Sequence, residues 1–488
     1  MTDEYIWGYI YTYMTKYTPI SRQSIQTIGA NFDRAITTDL ENWLINPQRK
    51  PLILRGARQV GKSTLVKIFA SKMERRLIEL NLEKKPKIAK IFEQIDAERI
   101  LKDIEIELDI QINPKKDLFF IDEIQVSPKA LTSLRYFKED ISQLPVIAAG
   151  SLLDFALTQE SISMPVGRIS FAFVNPMTFE EFLEATEKTK LLNELKTFEW
   201  GKHLSETVHS HLLEQVELYL KLGGMPEVLQ TFLASSDFTE ARTIQEDILS
   251  TYREDFSKYA SGKDLLLLQR LFDSFAGILG NKVKYAQLSR DESARDIRRA
   301  LDLLVQARVL ARVPHSNCGG LPLALEQSDT VYKLYHLDVG LMNAQLGTPA
   351  GGRHQSPAIL TQLLGIQAEQ MIYQNLRAQQ RKQDSKIYYW LRERKTQNAE
   401  LDFVLENEGQ MLPIEVKSGA AGSMRSLFQF IAKTQVKKAL RFDLNLPSIQ
   451  DIKTEVITSS EKQSIKFKLY SLPLYLVGQY ARLIGNAV

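Results

Sequence analysis

Apolar positions along the chain fall into two rhythms. Between Pro51 and about Glu184, five short runs are nearly continuous: Pro51–Leu54, Leu77–Leu82, Leu118–Ile121, Val146–Ala149 and Ile169–Val174. Helical stretches lie between them. Runs without polar alternation are how strands buried on both faces of a parallel sheet read, and helices between them make βαβ units. This predicts an α/β domain of about five strands. Upstream, Phe32, Ile36, Leu40 and Leu44 recur at helical spacing until Asn46-Pro47-Gln48 breaks the pattern. From about Glu187 to Tyr259 the rhythm is helical, interrupted at Gly223-Gly224-Met225-Pro226. Helices continue from Leu265 and give way to a strand pair, Val309–Val313 and Val331–Tyr335, a helix-then-hairpin order that suggests a winged helix. From Gly365 the pattern is α+β: a helix to Gln379, strands at Lys386–Leu391, Leu401–Glu406 and Leu412–Val416, a helix from Met424, and strands at Lys437–Asp443 and Ile465–Leu474. The predicted organisation is an extension over 1–32, an α/β domain over 33–186, a helical and winged-helix region over 187–345, and an α+β domain over 346–488.

Composition narrows the class. Hydrophobic residues make up 44% and charged residues 25% of 488, which excludes a disordered or collagen-like chain. Lys plus Arg total 62 against 59 Asp plus Glu, so the chain is not a dedicated polybasic binder. The single cysteine, Cys318, allows neither an intrachain disulfide nor a thiolate metal cluster. Asp3 and Glu4 stand where a secretory signal would place positive charge, and no apolar run approaches the roughly 18 residues of a membrane span. The expected setting is the cytoplasm, with no membrane partner.

Gly56-Ala57-Arg58-Gln59-Val60-Gly61-Lys62-Ser63, followed by Thr64, fits G-x-x-x-x-G-K-[ST] at every position. It follows a strand and opens a helix, the context that such a loop needs. Its glycines let backbone N–H groups turn onto phosphate oxygens, and the helix N-terminus adds its dipole. Lys62 then meets the β- and γ-phosphates of ATP and Ser63 ligates Mg²⁺. Asp117 to Glu123 reads as an apolar strand ending in two carboxylates, with Asp122 for Mg²⁺ and Glu123 for the attacking water. The 60-residue gap after Lys62 leaves room for an intervening strand, as in the additional-strand class. Ser151 is a candidate sensor of the γ-phosphate or an ordinary helix cap. Arg168 is a candidate arginine finger, in a homo-oligomer reaching a neighbour's site, or a surface residue.

A second constellation lies near the C-terminus. Asp402 and Glu415 fall on adjacent hairpin strands, and Lys417 shares a strand face with Glu415. Glu369 is offered by the preceding helix. Carboxylates so placed suit a second Mg²⁺ or Mn²⁺, with the lysine activating water, as in metal-dependent nucleases. A nuclease-like fold used only for docking, or a charged hairpin edge, fits the same residues. Arg295, Arg298 and Arg299 on the helix before the strand pair suit DNA or a solvated face. No histidine pattern suggests zinc.

Several stretches resemble one family. They are PLILRGARQVGKS (51–63), FFIDEIQ (119–125), Ala149-Gly150-Ser151-Leu152, Gly167-Arg168, NPMTFEEF (175–182), GGMPE (223–227), YREDF (252–256), KLYHLDVGL (333–341) and IEVKSG (414–419). The chain resembles the AAA-type P-loop ATPases of bacteria and archaea whose C-terminal half is the domain of unknown function 4143. The resemblance covers roughly residues 33–480. It implies an α/β P-loop NTPase of the AAA+ class, then a winged-helix segment and a restriction-endonuclease-like α+β domain. It implies ATP binding and hydrolysis but supplies no agreed biological role. From the residues, DNA is the expected partner of the C-terminal half, with an unidentified protein as a further one. A regulatory ATP switch is the competing expectation.

Overall fold

The computed structural model describes residues 32–150, 153–156, 167–348, 357–382, 386–393, 398–418, 424–457 and 462–485. The extension through residue 31 and the Ser151 position lie outside them. Helix α1 (Ile36–Ile45) leads into β1 (Leu52–Arg55), α2 (Lys62–Lys72), β2 (Arg76–Asn81), α3 (Ala97–Leu108), β3 (Asp117–Asp122), α4 (Pro128–Glu139), β4 (Val146–Ala149) and β5 (Ser170–Phe173). All five expected strands form, every pairing is parallel, and the order is β2-β3-β4-β1-β5. The strand expected in the gap between the loop and the acidic strand is β2, at the sheet edge beside β3, while β4, later in sequence, separates β1 from β3. Alternate strand residues serve the two faces: Leu52, Leu54, Leu118 and Phe120 enter one core cluster, and Ile53, Phe119 and Ile121 enter the other. Burial of both faces explains why these strands read as unbroken apolar runs.

Helices α5 (Phe179–Ala185), α6 (Glu206–Leu222), α7 (Pro226–Ser235), α8 (Phe238–Asp255), α9 (Gly262–Ser274) and α10 (Ala294–Gln306) follow. The hairpin β6 (Leu310–Ser316) and β7 (Gln327–His336) comes next, then α11 (Val339–Gln345), α12 (Pro357–Gln379), β8 (Tyr388–Arg392), β9 (Ala399–Asn407), β10 (Gln410–Val416), α13 (Arg425–Thr434), β11 (Lys438–Asp443), β12 (Ser448–Ile457) and β13 (Lys462–Pro473). Strand β12 is absent from the sequence reading. Charged residues alternate along its outer edge position, so it carries no apolar run.

The hairpin does not stand alone as a wing. It joins the C-terminal strands in one mixed sheet, β12-β13-β11-β10-β9-β8-β6-β7, through His315 opposite Tyr389. One apolar cluster runs continuously from Ile36 through α6, α10 and the hairpin to Ile484.

Three of the resembling stretches meet at a buried polar hub. The Met177 amide donates to the Gly224 carbonyl at 2.7 Å. Asp338, fully buried, accepts from the amides of Gly224 (2.6 Å), Gly340 (2.9 Å) and Leu341 (3.1 Å) and from Gln374 Nε2 (2.9 Å). A β-carbon on Gly223 would lie 2.0 Å from Asp338 Oδ1, so the approach requires glycine there. Among the described residues no helix is long and apolar enough to cross a membrane.

Candidate nucleotide site and a second acidic cluster

The loop after β1 owes its shape to residues with left-handed backbone. Gln59 has φ +61° and Gly61 φ +92°, and a β-carbon on Gly56 would strike the Val174 carbonyl at 2.2 Å. Lys62 opens α2 and folds back over the loop, where its ammonium donates to the carbonyls of Gly56 (2.8 Å) and Ala57 (2.7 Å). Burial lowers that ammonium to about 8, against the opposing pull of Glu123 and Asp122. Ser63 Oγ donates to Asp122 Oδ2 at 3.0 Å, and Asn81 Nδ2 approaches the same oxygen at 3.3 Å. Burial first, then Glu123, raises the Asp122 carboxyl above its usual range. A hydroxyl and a charge-crowded carboxylate in contact are a donor set that fits Mg²⁺.

Glu123 sits at φ +52° just past β3. Gln125 Nε2 donates to its Oε2 at 2.6 Å. A β-carbon on Gly150 would meet Gln125 Oε1 at 2.1 Å, so that glycine makes room for the amide beside the catalytic candidate. Ala57, Arg58, Val60 and Thr64 occupy the loop and the first turn of α2, as expected.

The loop is held from outside the α/β sheet by residues to which the sequence reading assigned no role. Arg34, nine-tenths buried, donates to the Val60 carbonyl (3.1 Å), the Asn175 carbonyl (2.5 Å) and Glu181 (3.1 Å). Arg58 turns its guanidinium to Asp255 at 2.8 Å, and Tyr252 donates its hydroxyl to the Arg58 carbonyl at 2.7 Å. The YREDF stretch at the end of α8 is thus a clasp on the phosphate loop. Arg308, between α10 and β6, lies 4.7 Å above the Phe173 ring, and Phe173 pairs with Arg55 directly before the loop. Its charge reaches Lys62. Nothing in the local sequence marks Arg308, because some 245 residues separate it from the loop.

Arg168 lies elsewhere. Leu52 pairs with Ser170 in parallel strands, so Arg168 sits at the end of the sheet opposite the loop. It pairs with Glu139 at 2.8 Å and is about half exposed. It cannot touch a phosphate held by its own chain.

At the C-terminal sheet, Glu369 on α12, Asp402 on β9 and Glu415 on β10 do converge with Lys417. Asp402 Oδ2 accepts the Val416 amide at 2.8 Å, and Lys417 pairs with Glu415. Burial, then Asp402, lifts the Glu415 carboxyl to about 8. The group missed is Lys333 on β7, whose ammonium enters the cluster from the hairpin. Burial by itself would lower it, and Glu369, Asp402 and Glu400 overcome that and hold it charged. Burial raises Glu369 to about 7 while Lys333 opposes it. Among the described residues no group of three or more His, Cys, Asp or Glu is arranged to hold a metal ion. Of the helix arginines, Arg299 pairs with Asp264 and Asp296, while Arg295 and Arg298 are exposed.

A parallel five-stranded sheet with this loop and acidic strand defines a P-loop NTPase-like α/β fold. Residues 48–183 match the AAA domain family, 364–467 match the domain of unknown function 4143, and 213–351 match a further domain of unknown function, DUF8612. The chain therefore joins an AAA domain to a C-terminal domain of unknown function 4143, as the resemblance implied. Among solved structures it is similar to the Walker-type ATPase PABY2304 of Pyrococcus abyssi, at 17% identity over 68% of this chain and 99% of that one, TM-score 0.39. It is also similar to RuvB of Thermotoga maritima, described as a Holliday junction branch migration motor, at 17% identity over 60% of this chain and 90% of that one, TM-score 0.23. No curated protein matches the chain.

Proposed function

We propose that this chain is a Mg²⁺-dependent ATPase that couples nucleotide state to a winged-helix and restriction-endonuclease-like C-terminal half working on DNA. Lys62 binds the β- and γ-phosphates, Ser63 and Asp122 hold the cation, and Glu123 orients or deprotonates the attacking water. The bound cation would supply neutralisation of phosphate charge. The observation that carries the coupling is the grip on the loop from outside the sheet: Tyr252 and Asp255 on Arg58, and Arg308 at the root of the hairpin. That hairpin extends from Arg308 beside the loop to Lys333 in the acidic cluster, Lys333 being opposite Val313. Arg168, out of reach of its own loop, would act as a finger only on a neighbouring copy. A second reading, an ATP switch whose nuclease-like half is inactive and serves for docking, is favoured by the ammonium of Lys333 lying among the carboxylates.

One experiment separates these. ATP turnover and Mg²⁺- or Mn²⁺-dependent DNA cleavage are measured for wild type, Glu123→Gln and Glu415→Ala. Glu123→Gln should keep ATP binding and lose turnover by roughly 10²–10⁴-fold, the worth of a general base. Wild-type turnover in that variant refutes the role of Glu123, and a wild-type chain without ATP turnover refutes the ATPase assignment. Cleavage lost in Glu415→Ala supports the DNA reading, and no cleavage by an active ATPase leaves the switch.

A further inference from the structure

Strand β7 sends Lys333 into the acidic end of the second sheet, where its side chain is fully buried. Its ammonium is 2.6 Å from Glu400, 3.1 Å from Glu369 and 3.8 Å from Asp402, with the Tyr389 ring centroid at 5.5 Å. The segment through Gly280 and Lys282 closes over it: the Gly280 amide donates to the Leu334 carbonyl at 3.1 Å, and Lys282 bridges Lys333. A buried lysine is tolerated only when paired, and this one has three carboxylates. A fourth, Glu415, is 3% exposed, and its Oε2 has no hydrogen-bond partner although it is buried beside Asp402. Lys417 is the second ammonium present. Four carboxylates thus face two ammonium groups, and an unsatisfied buried acceptor remains.

The cluster thus holds fewer ammonium groups than carboxylates. Carboxylate oxygens converging from separate elements are hard donors, suited to a divalent cation. A metal needs oxygens at about 2.1 Å, so the carboxylates would close by roughly 1 Å around it. The Lys333 ammonium occupies the space between these carboxylates. A solvated hairpin edge, by contrast, would leave its lysine in water.

We propose that Lys333 is the resident cation of this cluster, standing where a divalent metal would sit between Glu369, Glu400 and Asp402, and that the cluster takes Mn²⁺ or Mg²⁺ only when Lys333 is withdrawn. The inference rests on reading the cluster as a site; it requires neither ATP turnover nor DNA cleavage.

The test uses the full chain carrying Asp122→Asn, so that the nucleotide site contributes no metal carboxylate, without nucleotide or DNA. Mn²⁺ is titrated and followed by the paramagnetic resonance of the free ion and by thermal melting. Adding Lys333→Met should create one Mn²⁺ site at least about tenfold tighter than any in the parent, with a melting temperature that Mn²⁺ raises. Adding Asp402→Asn to Lys333→Met should remove the gain. Equal Mn²⁺ binding by parent and Lys333→Met overturns the proposal, as does a gain that survives Asp402→Asn. So does a Lys333→Met chain that gains no site, or one that stays unfolded at saturating Mn²⁺, since the cation is then no substitute for the lysine. A chain that never cuts DNA can still pass this test.

Discussion

Raising the pH from 7 to 9 should weaken ATP binding about tenfold, through one group. The Lys62 ammonium lies buried over its own loop, where burial lowers it to about 8 even with Glu123 and Asp122 nearby. Only the protonated form pairs with phosphate. Roughly nine-tenths of the chains carry that charge at pH 7 and about one-tenth at pH 9, so the apparent dissociation constant rises about tenfold, worth about 1.3 kcal/mol. The direction follows from the sign. A bound phosphate favours the ammonium, so affinity is full below the free-state value and falls as pH climbs through it. The phosphate itself is already largely ionised across this window, since the last proton of a phosphate monoester leaves at about pH 6. The assay is equilibrium titration with ATP in the Glu123→Gln chain, which removes turnover, at constant ionic strength. Lys62→Arg is the control: a guanidinium stays charged throughout, so the pH dependence should vanish even if affinity drops. Glu369 and Glu415 also titrate near this range, at about 7 and about 8, but both are common to the two chains. A flat wild-type profile, or an equal slope in Lys62→Arg, would refute the assignment of the titration to Lys62.

Two further outcomes are expected. Asp338→Ala strands the buried amides of Gly224, Gly340 and Leu341; at about 1–3 kcal/mol each, partly offset by relief of a buried charge, the loss should be several kcal/mol, on the order of 3. Chemical denaturation measures it, and a midpoint equal to wild type would show that the hub is not structural. Gly56→Ala places a methyl group 2.2 Å from the Val174 carbonyl. It should abolish ATP binding in a chain whose circular dichroism is unchanged; retained binding would mean the loop need not adopt this backbone.

The phosphate loop and its acidic strand were legible in the chain because their chemistry is local. A loop needs its glycines, lysine and hydroxyl within eight residues, and the strand that follows needs apolar residues on both faces. The five parallel strands could be read for the same reason. Strand β12 could not, since an edge strand bathed in water has no apolar signature. The carboxylates Asp402 and Glu415 were visible as neighbours on a hairpin.

What only the tertiary structure decided is what lies against those local motifs. Arg34, Arg308 and the Tyr252–Asp255 clasp reach the loop from helices and a hairpin root far away in sequence, through single side chains that follow no period. Lys333 reads in the chain as one more charged residue in a strand; the sheet that joins β6–β7 to β8 turns it into the cation of a buried acidic cluster. Arg168 reads as a candidate arginine finger, and parallel pairing puts it at the end of its own sheet opposite the loop. Sequence determines which groups are available and how short segments fold, because those depend on neighbours along the chain. Which charges meet depends on the packing of whole layers, and burial then sets how strongly they act.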